Sequence, residues 1–102
     1  MALFVARHQH AADRCPAADP QMGAMLLDHL AHPTAAANGI TIQAEAVIND
    51  AHTLYLIAEA PDQRQLEAYL APFAQVGSVE VWPASSCAAV VDRGGCSAAV
   101  LP

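Results

Sequence analysis

His8 and His10 stand two residues apart in the run ALFVARHQH at residues 2–10. On an extended strand successive side chains alternate sides, so these two imidazoles project the same way and can share one ion. Imidazole suits nickel, copper and zinc, and a thiolate in the set shifts the preference toward Cu(I) or zinc. Cys15 follows the pair closely enough to fold back over the strand end, and Glu80 or His52 can complete the ligands. The pattern predicts a metal site of His8, His10, Cys15 and Glu80 for nickel, copper or zinc. Neither C-x-x-C nor H-E-x-x-H spacing occurs, so the reading rests on the strand pair.

The same residues allow a second chemistry. His8, oriented by Glu80, would serve as a general acid or base near neutral pH. Tyr55 and Trp82 would hold a planar ligand in a cofactor- or substrate-binding pocket. This is the alternative of a small-molecule enzyme, of monooxygenase or isomerase type. No nucleophile triad can be read, and Asp92-Arg93-Gly94-Gly95 is too short for a phosphate-cradling loop. Cys87 and Cys96 read as buried small hydrophobes or free thiols, with a disulfide or a thiolate metal site as the alternative. His29 reads as partly buried and His32 as a cation at a helix C-terminus. Met22, Met25, Leu26 and Leu30 form an apolar stripe at helical spacing, which reads as core and not as a thioether copper site.

The elements that would position these groups follow from periodicity and punctuation. Residues 2–10 read as a strand with Leu3, Val5 and Arg7 on one face and Phe4, Ala6, His8 and His10 on the other. Asp19-Pro20 reads as an N-cap and first helical residue, opening a helix to about residue 31 that Pro33 stops. A loop over 33–39 leads to a strand at 40–48, a tight turn at Asn49-Asp50-Ala51 and a strand at 52–59 that is apolar on both faces. Asp62, with Gln65 three residues on, caps a second helix, shortened by Pro72 and stopped at Gly77. Residues 78–82 form the fourth strand. The order predicts an α+β, ferredoxin-like βαββαβ domain over residues 1–83, with a four-stranded antiparallel sheet and two helices on one face. Residues 84–102 form a C-terminal tail, expected as a hairpin through Asp92-Arg93-Gly94-Gly95 or as an arm against a partner subunit.

On the face away from the helices the alternation places Phe4, His8, His10, Thr41, Gln43, Glu45, Tyr55, Ile57, Glu80 and Trp82. Phe4, Ile57 and Trp82 would form a sizeable apolar patch, so a homodimer with its open faces together is expected, enclosing a cavity for a metal ion or small molecule.

The stretch 52–83 resembles small bacterial proteins of the dimeric α/β-barrel superfamily, through E-A-P-D at 59–62 and V-E-V-W-P at 79–83. The resemblance implies the ferredoxin-like fold and a dimeric barrel. The superfamily holds nickel-binding proteins, cofactor-free monooxygenases, haem-degrading enzymes and members of unassigned function. The nickel-binding members are most similar in size and in their first-strand histidines, a pattern that here falls on His8 and His10.

Composition bounds the rest. The 102 residues suffice for one domain, and the 55% hydrophobic content is weighted toward alanine, so the core must rest on the larger side chains. The formal charge of −6, with four arginines and no lysine, argues against nucleic acid and against an anionic membrane surface. No apolar run approaches a transmembrane length, and Met1 to Val5 is too short for a signal peptide. A cytoplasmic location is therefore expected, with the three cysteines as reduced thiols.

Overall fold

Prolines and capping side chains set most of the element limits in the computed structural model, which describes residues 1–97. Strand β1 (Ala2–His10) leads through two 3-10 turns, Ala12–Arg14 and Pro16–Ala18, to helices α1 (Pro20–Leu30) and α2 (His32–Ala37). Strands β2 (Thr41–Ile48) and β3 (Thr53–Ala60) form a hairpin, followed by α3 (Gln63–Tyr69), α4 (Ala71–Ala74), β4 (Gly77–Ala84) and α5 (Cys87–Arg93). The Asp19 carboxylate accepts from the backbone N–H of Gln21 at 2.9 Å and of Met22 at 3.4 Å, and Pro20 takes the first helical position. The Asp62 carboxylate accepts from the Gln65 N–H at 2.8 Å. The Gln65 side chain closes no capping box; it donates to the Asn38 carbonyl at 2.8 Å and ties α3 to the entry of β2. The expected loop at 33–39 is helical over His32–Ala37, because Pro33 sits in the first turn of α2, where its missing N–H costs no hydrogen bond.

The sheet is antiparallel throughout, in the order β2-β3-β1-β4. This is an α+β fold with the ferredoxin-like βαββαβ order. Phe4, Ala6, Leu54, Leu56 and Ala58 pack from the sheet against Leu66, Tyr69, Leu70 and Phe73 of the second helical segment. Burying each large apolar side chain stabilises the fold by about 1.5–3 kcal/mol. Gly77 lets β4 close on β1, since a side chain there would overlap the Gln9 carbonyl.

The structure corrects the face of β1. Phe4, Ala6 and His8 point inward under the helices, and Leu3, Val5 and Arg7 lie on the open face. Val5 pairs with Ile57 and Trp82, and Arg7 with Tyr55 and Glu80. A central strand carries apolar residues on both sides, so alternation alone does not fix its phase. Glu45 moves as well. A bulge places Ile42 opposite Ala58 but Ala44 opposite Ile57, so Gln43 is the extra residue and Glu45 falls opposite the inward Leu56.

Two further expectations change. Leu26 and Leu30 pack against the core, but Met22 is 40% and Met25 67% exposed, so the two methionines are not core. The expected hairpin turn at 92–95 is instead the C-terminal end of α5. Ser86 Oγ accepts from the Ala89 N–H at 3.1 Å, and Gly94 at φ 88° donates back to the Val90 and Val91 carbonyls. The end of the expected tail, residues 98–102, lies outside the described residues. Among the described residues no helix is long and apolar enough to cross a membrane.

Candidate metal centre

β1 carries His8 and His10 to the helix side of the sheet, beside the β2–β3 turn. His8 is buried, its ring edge-on to Phe73 at 5.0 Å between centroids. Its Nδ1 lies 3.1 Å from the Ser78 carbonyl oxygen. A carbonyl only accepts, so neutral His8 carries its proton on Nδ1 and presents a bare Nε2. His10 Nδ1 lies 3.0 Å from that Nε2, so it must be the donor. The chain of bonds therefore runs from His10 to His8 to Ser78 and leaves His10 Nε2 as a lone pair. That nitrogen is buried and has no hydrogen-bond partner among the described residues.

Burial pushes the His8 pKa down, with His10 adding to the effect and the Ser78 carbonyl opposing it. Burial also lowers His10, with His52 adding to it. Both imidazoles are thus held neutral in the fold while the unfolded chain protonates near the ordinary value of about 6.5. The contribution to stability is complete above that pH and declines as pH falls through the lowered folded values. We expect the melting temperature of the metal-free protein to drop between about pH 7 and pH 5. In His8→Phe the drop should be smaller; an equal drop would show that this histidine does not couple stability to protons.

His10, Cys15 and His52 each place one ligand atom so that all three lie within 4.8 Å of one another, and all three residues are half-buried. Cys15 comes from the junction of the two 3-10 turns, folded back over the strand end. His52 comes from the last position of the β2–β3 turn. Its backbone is left-handed, at φ 49°, a conformation that costs of order 1 kcal/mol for a side-chain-bearing residue. The His10 N–H donates to the His52 carbonyl at 3.2 Å, and the two rings meet edge to face at 5.2 Å. Around a tetrahedral zinc ion, donor atoms stand roughly 3.3–3.8 Å apart, so side-chain rotations of about 1 Å would close the triad on an ion.

Of the residues predicted for the metal, the structure brings His10 and Cys15 together and adds His52. His8 stands behind His10 and holds its ring. Glu80 lies on the opposite face of the sheet, in an ion pair with Arg7, and is corrected out of the ligand set. Tyr55 and Trp82 also lie on that open face around Arg7, whose guanidinium carbon is 5.9 Å from the Trp82 ring centre. Cys15, Cys87 and Cys96 are free thiols, the latter two exposed.

The sequence profile of a family described as a domain of unknown function, DUF3303, matches residues 4–95. No curated protein and no solved structure matches the chain.

Proposed function

We propose a metal-binding function for this chain, which belongs to the DUF3303 family, with His10, Cys15 and His52 as ligands to zinc or copper. The observation that carries the reading is the buried, partnerless Nε2 of His10 beside a thiol and a second imidazole. A buried acceptor without a partner costs about 1–3 kcal/mol, and a bound ion would remove that cost. The path from His10 through His8 to the Ser78 carbonyl is the outer-sphere arrangement that fixes the tautomer of a metal-bound histidine. Two imidazoles and one thiolate suit a borderline-soft ion, and three protein ligands leave a position open for water or a small ligand. The resemblance to nickel-binding members of the dimeric α/β-barrel superfamily agrees in class. The thiolate and the three-ligand count favour zinc or copper over nickel, which takes square-planar sites.

Elemental mass spectrometry on protein purified without an affinity tag tests this. Near-stoichiometric zinc or copper is expected, with loss of most of it in His10→Ala and in His52→Ala. Intense thiolate-to-copper colour after oxidation would select copper. Metal-free protein that takes up neither ion would sink the reading.

The open face supports a homodimer. Tyr55, Ile57 and Trp82 are 37%, 40% and 42% exposed there, and the buried Arg7 Nε finds no partner among the described residues. A second copy packed face to face would cover the apolar groups and offer acceptors to Arg7. Light scattering should give twice the chain mass, falling to the monomer in Ile57→Asp. A wild-type monomer at about 100 μM, above the Kd of ordinary stable dimers, would rule the dimer out.

A further inference from the structure

We propose that Met22, Met25 and His29 form a second, separate site, selective for Cu(I), in the cavity under α1. The three residues stand at i, i+3 and i+7 and so share one side of the helix. All three line one mostly apolar cavity of about 270 Å³, walled on its other sides by Pro16, Pro72, Phe73, Gln75 and Val76. The helix is only lightly seated. All of its residues keep some contact with solvent, and its methionines, which the sequence reads as core, are 40% and 67% exposed. Their thioethers are therefore not spent on packing and remain free to turn into the cavity.

His29 is held as a metal-binding histidine is held. Its Nε2 lies 2.7 Å from the Tyr69 carbonyl, which only accepts, so the proton sits on Nε2 and the lone pair on Nδ1. The Tyr69 hydroxyl donates back to the His29 carbonyl at 2.6 Å, and the two rings stack at 4.4 Å with 16° between their planes. Tautomer and ring orientation are both fixed, and Nδ1 makes no hydrogen bond among the described residues. Two neutral thioethers and one imidazole in an apolar cavity select Cu(I), because soft, uncharged sulfur suits a soft monovalent ion and binds hard or divalent ions weakly. The bound ion adds a single positive charge, which the acidic chain tolerates. This set shares no residue with His10, Cys15 and His52, so either site can fail without the other.

The test is an anaerobic Cu(I) titration against a chromogenic Cu(I) chelator, on a cysteine-free background (Cys15→Ser, Cys87→Ser, Cys96→Ser) that removes the two exposed free thiols along with Cys15, with and without the added pair Met22→Leu, Met25→Leu. Leucine keeps the apolar volume, and circular dichroism on each variant checks that it folds. The cysteine-free protein should bind Cu(I) at the cavity with sulfur neighbours in its copper X-ray absorption spectrum, which only thioethers can then supply. Adding the two leucines should weaken that binding at least tenfold and remove the sulfur signal, while a competition with zinc leaves it unchanged. In the cysteine-free background, sulfur-ligated Cu(I) that survives both leucine substitutions, Cu(I) without sulfur neighbours before they are made, or Cu(I) that zinc displaces would overturn the proposal. So would a cysteine-free protein that takes up no Cu(I).

Discussion

Cys15→Ser is expected to weaken zinc binding more than about 100-fold, beyond the 10- to 100-fold usual for loss of an outer-sphere partner. The thiolate is the one charged donor of the triad, and a serine hydroxyl does not ionise in its place at neutral pH. The consequence should be visible in stability as well as affinity. Saturation to about a thousand times the dissociation constant stabilises a fold by about 4 kcal/mol. For a domain of this size that corresponds to roughly 15–30 °C in melting temperature. Differential scanning calorimetry with and without excess zinc should show the full shift in the wild type and at most about a third of it in Cys15→Ser, where a 100-fold loss leaves zinc at about ten times the dissociation constant. Equal shifts in the two proteins would mean that zinc acts elsewhere.

His8→Phe should weaken zinc binding about 10- to 100-fold while leaving the metal-free fold intact, the usual effect of losing an outer-sphere partner. His8 touches the proposed ion only through His10, whose Nδ1 it accepts at 3.0 Å. Phenylalanine fills the same space against Phe73 and removes a buried imidazole, so packing is kept. What is lost is the acceptor that holds the His10 proton on Nδ1 and leaves Nε2 as the free lone pair. A purely structural role for His8 would lower the melting temperature of the metal-free protein and leave zinc affinity unchanged. Calorimetric titration beside thermal melts separates the two.

Sequence periodicity carried most of the fold. The caps at Asp19 and Asp62 and the strand order followed from local chemistry that acts within a few residues. The phase of β1 did not. Both of its faces are apolar, and the side that lies under the helices is set by cross-strand partners, Val5 with Ile57 and Trp82, whose register no single segment specifies. That error of one residue moved His8 and His10 to the wrong side of the sheet and paired them with Glu80. The strand spacing that puts both imidazoles on one face was correct, and so was the fold-back of Cys15. His52 was legible only as one option among several, because its approach depends on a left-handed turn residue that sequence pattern does not mark. The methionines of α1 read as core because their spacing is that of a packed stripe; the loose seat of the helix is a tertiary fact.

Zinc-edge X-ray absorption on the zinc-loaded, untagged protein is the most direct test of the central claim. The account predicts two imidazole nitrogens at about 2.0 Å and one sulfur at about 2.3 Å from the metal, with the sulfur shell gone in Cys15→Ser. A zinc environment of nitrogen and oxygen alone, or one unchanged by that substitution, would contradict it.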